Sequence, residues 1–381
     1  MIKMIKKTFL LLILVISLLS LTGCSDSSGI DDFYYIIGLG IDIVDNSLIK
    51  LSIQVSKSSS TSQGSSSSMS DEYKIYTVEA ETIESGINIL NNYLNKKINL
   101  SHCSVIVFSE DIAKTGIGKY ITALANNTNL RHTCTVLVSE KSSYDILNNV
   151  SNSGETYTAR LYDYLTTSTD YTGYSIKSTF GKIFQQLNDS NNQATTVYSV
   201  INNDIVQNYG IAVFKNDKMV GILDMLNTLS HLIVTNELEK CVIAVNSPFK
   251  ENEKIYTELE LFKRTNIYVN IVNNSPFITV DIYPKGVIRD SGEHLDYTIP
   301  NNISKVEQAI DKYLTDLTKE YLYTISKIYD SDISGFGINA SSNYLTKDEF
   351  DKIHWNEVFK DSFFEVNVHT QINSSGLVVK H

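Results

Sequence analysis

Residues 104–139 read SVIVFSEDIAKTGIGKYITALANNTNLRHTCTVLVS. Two short runs rich in β-branched residues, Ser104–Phe108 and Thr133–Ser139, flank a segment from about Asp111 to Ala125 that reads as helix. Strand, helix and strand in that order make a βαβ unit. Its two strands lie parallel and its crossover is right-handed.

Upstream, Phe33–Ile43 and Leu48–Val55 surround Val44-Asp45-Asn46-Ser47, whose Asp-Asn pair supplies turn chemistry, so the two read as a hairpin. Leu48, Ile49, Leu51, Ile53 and Val55 mostly alternate, which buries one face of the second strand. Ser56–Ser70 is Ser-rich, with Gly64 and no apolar anchor before Met69, and is expected to be a flexible loop. Tyr73–Val78 is a short strand. Within Glu81–Lys97, Ile83, Ile87, Leu90 and Leu94 fall on one helical stripe.

Downstream, a helix is expected from about Ser143 to Val150, residues 155–190 read as helical, and Asn188–Asn203 is the expected seam between domains. Ile211–Phe214 and Met219–Leu223 flank Lys215-Asn216-Asp217-Lys218 as a second hairpin. Cys241–Val245, Tyr256–Phe262, Ile267–Val272 and Pro276–Ile282 are further strands. Then Ile303, Val306, Ile310, Leu314, Leu317, Tyr321, Ile325 and Ile328 recur at steps of three and four, one long amphipathic helix that Ser334-Gly335-Phe336-Gly337 is placed to end. Phe364–Ile372 is the last strand. The expected fold class is α+β and multidomain, with mixed sheets. A βαβ-containing N-terminal domain covers 24–198, and a strand-rich C-terminal domain carrying the long helix covers 199–381.

The first residues are of another kind. Lys3, Lys6 and Lys7 precede an apolar run, Phe9 to Leu21, interrupted only by Ser17 and Ser20, and the run ends in Leu21-Thr22-Gly23-Cys24. As a helix the run covers about 20 Å, short of the roughly 30 Å of a hydrocarbon core, so a secretory signal fits better than a span. Leu, Thr and Gly before Cys form a bacterial lipobox. Residues 1–23 are therefore expected to be a lipoprotein signal peptide, and Cys24 the lipidated residue that tethers the chain to a bilayer. Two or more acyl chains anchor stably where one does not.

The net charge of −11 argues against nucleic acid as a partner and against an electrostatic grip on anionic lipid. The remaining Cys103, Cys134 and Cys241 are odd in number and read as buried free thiols. Gly38-Leu39-Gly40-Ile41-Asp42-Ile43 opens like a dinucleotide fingerprint but has Ile43 at the third glycine position and sits inside a strand; its glycines read as allowing close backbone packing. His102, Cys103, His132 and Cys134 lie at the starts of the two βαβ strands. Their spacing is not that of a zinc loop, and they read as core or rim residues. Trp355, among His354, Phe359 and Phe363, reads as the contact that docks the end of the chain. No nucleophile elbow, zinc-protease helix or phosphate loop occurs, so neither an enzyme nor a cofactor is expected.

Several segments in order resemble the Ger(x)C family, the lipoprotein C subunits of spore germinant receptors. The lipobox is followed by Tyr35-Ile36-Ile37-Gly38-Leu39-Gly40-Ile41-Asp42 and Ile49-Lys50-Leu51-Ser52-Ile53-Gln54-Val55, and then by a Ser-rich loop. Leu100-Ser101-His102 leads into Val105–Glu110, Gly210–Gly221 resembles the opening of the C-terminal domain, and Ser331–Gly337 and Trp355–Phe359 complete the order. The tryptophan usual soon after the lipid cysteine is replaced by Ser25-Asp26, and Cys103 and Cys134 are atypical. The resemblance implies a non-enzymatic subunit on the outer face of the spore inner membrane, assembled with integral-membrane A and B receptor subunits. A solute-binding lipoprotein of a transporter is the alternative.

Overall fold

The computed structural model describes residues 5–11, 13, 29, 32–45, 47–56, 73–149, 172–291 and 299–373. β1 (Phe33–Ile43) and β2 (Ile49–Ser56) form the expected antiparallel hairpin, and Asp45 Oδ1 accepts from the N–H groups of Ser47 and Leu48 at its turn. β3 (Tyr73–Ala80) pairs with β2, and α1 (Ile83–Tyr93) starts where Thr82 Oγ1 accepts from Ser85 N–H. β4 (Lys97–Asn99), which the sequence reading passed over, lies parallel to the start of β1.

The βαβ unit is present. β5 (Val105–Ser109) and β6 (Thr135–Ser139) pair in parallel from Val105↔Thr135 to Ser109↔Ser139. The connection differs from the single helix expected from Asp111 to Ala125, because α2 (Glu110–Thr115) and α3 (Gly118–Ala125) are separate. Gly116 breaks them at φ +128°, a conformation L side chains avoid, and the Asp217 carboxylate fills the space where a Cβ would stand. Ile117 N–H donates to Asp217 O at 2.9 Å, so a distant hairpin tip fixes the break.

α4 (Ser143–Asn148) and α5 (Phe180–Leu187) follow; residues 155–171 of the stretch expected to be helical, like 57–70 of the expected Ser-rich loop, lie outside the described residues, and within 173–190 only α5 is helix. β7 (Thr195–Asn202), β8 (Ile205–Lys215) and β9 (Lys218–Leu223) then complete a sheet ordered β3-β2-β1-β5-β6-β7-β8-β9, with β4 beside β1. The seam expected at Asn188–Asn203 thus contains β7, and β8 and β9 extend the same sheet beyond it.

The C-terminal half opens with α6 (Met225–Val234), then β10 (Cys241–Asn246), β11 (Lys254–Leu261), β12 (Asn266–Val272), β13 (Ser275–Ile282) and β14 (Pro284–Ser291). α7 (Pro300–Tyr323) is the long helix, prolonged by a π-turn over Thr324–Ile328. It ends at Tyr329-Asp330, before the glycines expected to stop it. Gly335, at φ +73°, instead starts α8 (Phe336–Ser341). α9 (Lys347–Asp351) and α10 (Trp355–Val358) precede β15 (Phe363–Val368) and β16 (Gln371–Ile372). The single strand expected over Phe364–Ile372 is therefore two, in different sheets: β12-β13-β15 and β10-β11-β14-β16. The switch is pinned where Asp311 Oδ1 accepts from Thr370 N–H at 2.7 Å and Glu307 Oε1 accepts from Ile372 N–H at 2.9 Å, both acids belonging to α7.

The large sheet divides two hydrophobic cores. Ile106, Phe108, Val136 and Val138 face one core with β1, β2 and α1–α3; Val105, Val107 and Leu137 face the other, which continues into α6, α7 and the C-terminal sheets. Every residue of β5 and β6 is buried for that reason. Many asparagines serve turns: Asn203, Asn216, Asn236, Asn252, Asn273 and Asn274 adopt positive φ, which asparagine tolerates better than most residues.

Candidate functional site

Cys24 lies outside the described residues; the first strand downstream of it is β1. At that end of the sheet, Phe33↔Lys97 and Val55↔Lys74 bring the beginnings of β1 and β3, the end of β2 and β4 together. Tyr34 and Tyr76 have ring centroids 6.3 Å apart, Lys96 Nζ stands 5.7 Å from the Tyr34 ring, and Lys74 Nζ stands 4.6 Å from the Tyr76 ring. Tyr34 OH donates to Asn95 Oδ1, holding the α1–β4 turn against β1.

The Gly38–Asp42 motif is a clasp for α4. A Cβ on Gly40 would run into Ser143 Oγ and Leu147, so glycine lets the helix touch the strand. Asp42 Oδ1 accepts from Ser143 N–H at 2.6 Å and Oδ2 accepts from Ser143 Oγ–H at 2.7 Å; the buried carboxylate caps the helix from outside it. Burial raises the Asp42 pKa although these bonds oppose it.

The Cys103 and Cys134 sulfurs meet at 3.8 Å in the core as free thiols, whereas His102 packs edge-on against Tyr35 and His132 against Phe180. The four residues do not converge on one point. Among the described residues no group of three or more His, Cys, Asp or Glu side chains is placed to hold a metal ion.

A second clasp closes the C-terminal half. Asp332 is fully buried; Oδ1 accepts from Phe336 N–H at 3.0 Å, and Oδ2 from Gly337 N–H at 2.7 Å and from Trp355 Nε1–H at 2.8 Å. Burial pushes its pKa up to about 6, against the pull of these donors. Trp355 therefore docks this segment in the core, as expected, while Phe363 is exposed. Neighbouring residues bolt this segment to the large sheet: Ser331 Oγ–H donates to Phe214 O, Tyr329 OH to Ile222 O, and Gln193 N–H to Asp332 O.

Between α5, α6, the start of β12 and α8 lies a polar cleft of about 500 Å³. Lys182 and Glu237 pair across part of it at 2.6 Å, and Arg264 and Asn339 line it. Buried His231 forms its floor, with Nδ1 2.8 Å from Tyr321 OH, which is itself 2.6 Å from Ser334 Oγ. Burial lowers the His231 pKa to about 4, so the ring is neutral near pH 7. Sequence reasoning missed Asp42, Asp332 and His231 as organising groups. For Asp42 and His231 the available signal was a polar residue inside an otherwise apolar stretch, whereas Asp332 lies in the polar run Tyr329-Asp330-Ser331-Asp332 and carried no such signal. No helix of the described residues is long and apolar enough to cross a membrane.

The family model for the spore germination protein N-terminal domain matches residues 26–201, and that for the spore germination B3/GerAC-like C-terminal domain matches residues 209–376. Spore germination protein KC of Bacillus subtilis (strain 168) is 22% identical across 98% of this chain and 97% of its own. Spore germination protein GerQC of Bacillus cereus is 20% identical across 98% and 99%. The crystal structure of the GerBC protein superposes with a TM-score of 0.58 at 15% identity, covering 88% of this chain and 96% of that one, which establishes a shared fold. With both domain models matched in order and relatives aligned end to end, the chain belongs to the Ger(x)C family of spore germination proteins.

Proposed function

We propose that this protein is the lipid-anchored C subunit of a nutrient germinant receptor. It is tethered through Cys24 to the outer face of the spore inner membrane and assembled with integral-membrane A and B subunits. Its work is that of an assembly scaffold or signal-coupling component, without catalysis, and its parts 24–198 and 199–381 act together. The observation that carries this reading is the ordered pair of germination-domain matches on a chain whose opening residues end in Leu21-Thr22-Gly23-Cys24. Spores lacking the protein should lose germination through its own receptor while responding normally to other triggers, and lipidated protein purified from spore membranes should bring the A and B subunits with it. Unchanged germination to every nutrient would end the proposal.

The polar cleft favours one second reading, a solute-binding lipoprotein. A ligand at 100 times its Kd stabilises a protein by about 2.7 kcal/mol, so a thermal-shift screen with amino acids and sugars separates the two. Strong stabilisation by one solute would support solute binding.

A further inference from the structure

We propose that the end of the large sheet where β1 begins is a membrane-contact surface, with Tyr34, Tyr76, Tyr93, Lys74, Lys96 and Lys97 seated among lipid headgroups. This rests on the reading of Cys24 as the lipidated residue. From Cys24 to Phe33 a fully extended chain reaches only about 30 Å, at roughly 3.5 Å per residue, so the bilayer lies within that distance of this end. The opposite end of β1 lies about 35 Å from this one, since its 11 residues rise about 3.3 Å each, so only a body standing upright on this end keeps the far end clear of the bilayer.

The chemistry at this end suits an interface. Tyrosine has an apolar ring and a polar tip and is enriched at the headgroup level of membrane proteins, and lysine lays its aliphatic stem along apolar surface while its ammonium stays in water. Here the two types interleave: Lys96 over Tyr34, Lys74 over Tyr76, and Tyr93 at the end of α1 with 57% of its surface exposed, close in sequence to exposed Lys97. Acidic residues are nearby. Asp32 accepts from Gly29 N–H at the same end, and Asp71-Glu72 precede β3 in the sequence. The contact is therefore one of rings and stems more than of net charge, consistent with a chain whose overall charge is −11. Individually weak contacts suffice because the tether holds the surface at high effective concentration beside the bilayer. The anchor supplies attachment and the surface supplies orientation.

The test uses the lipidated mature protein with a fluorophore on Asn92→Cys, beside the surface, or on Val44→Cys, at the far end of β1; both positions are exposed. The native Cys103, Cys134 and Cys241 are buried and do not compete for label. In vesicles of phosphatidylglycerol and phosphatidylethanolamine containing a lipid with a nitroxide headgroup, quenching at position 92 should exceed that at 44 at least threefold. Tyr93→Ser combined with Lys97→Ser, both exposed changes, should reduce the difference at least by half. Equal quenching at the two positions, stronger quenching at 44, or a difference untouched by the double substitution would overturn the surface. Failure of the anchor is read separately, from flotation with vesicles and the mass of the Cys24 peptide. An unlipidated Cys24 would remove both proposals, whereas lipidated, floating protein with equal quenching removes only this one.

Discussion

Asp332→Asn tests the C-terminal clasp quantitatively. The ionised carboxylate accepts three N–H groups, from Phe336, Gly337 and Trp355, and an asparagine of the same shape offers an acceptor on one side only. With its oxygen turned to Gly337 and Trp355, its amide faces Phe336 N–H, leaving one buried donor orphaned and two bonds weakened by loss of charge. That costs about 2 kcal/mol at pH 7. The pH dependence gives the sharper check. Burial raises the folded pKa from 3.8 to about 6, so the folded state binds a proton more tightly than the unfolded chain. Stability from this group is fully present below the unfolded pKa and is lost as pH rises through about 6. Between pH 7 and pH 5 the wild-type protein gains about 1 kcal/mol from Asp332 that the asparagine variant cannot gain, since one pKa unit is worth about 1.4 kcal/mol. Urea unfolding of both proteins at the two pH values should show the gap widening in acid, from about 2 to about 3 kcal/mol. A gap that stays constant or narrows would refute the assignment of a raised pKa to this carboxylate.

Cys24→Ala should move the protein out of the membrane fraction, and a variant that still sediments with membranes after a high-salt wash would contradict the tether. Gly40→Ala forces a Cβ into Ser143 and Leu147 and should cost about 1–3 kcal/mol in thermal or urea unfolding, as overpacked cores do. Folded protein should leave Cys103, Cys134 and Cys241 unalkylated until denaturant is added, since all three are buried and burial pushes the Cys241 thiol up to about 12; rapid labelling in buffer would show a looser core. Calorimetry should show one cooperative transition for the described body, and two separated transitions would mean that the halves melt independently.

What the sequence revealed was governed by how local each signal is. β5 and β6 were legible because burial on both faces demands unbroken runs of β-branched residues, and α7 because six apolar positions from Ile303 to Tyr321 repeat along it and two more continue through its π-turn. α6 went unread because its stretch Thr228–Val234 is buried on every side, which removes the polar face that marks a helix. β14 was hidden by Pro284 and Gly286, residues that ordinarily argue against a strand; the glycine is needed where Leu259 and the Glu258 carbonyl press against it. The break between α2 and α3 depends on Asp217, a partner remote in sequence, and a single-sequence periodicity cannot register it. The same holds at the candidate sites. Gly40 was readable as a close-packing glycine, but the Asp42–Ser143 and Asp332–Trp355 bonds join residues far apart in the chain.

The position of the large sheet also constrains how this protein can transmit anything. Pulling the C-terminal half away from it would expose Val105, Val107, Leu137, Val197, Ile211 and Val213, all buried in the core that the two halves share. At about 1.5–3 kcal/mol for each such side chain, the separation costs on the order of 10 kcal/mol, comparable with the whole stability of an ordinary domain. The bonds from Ser331, Tyr329 and Gln193 across the same junction add to that barrier. A hinge opening between the halves would thus approach unfolding in cost. A body built this way resists opening between its halves and moves as one piece.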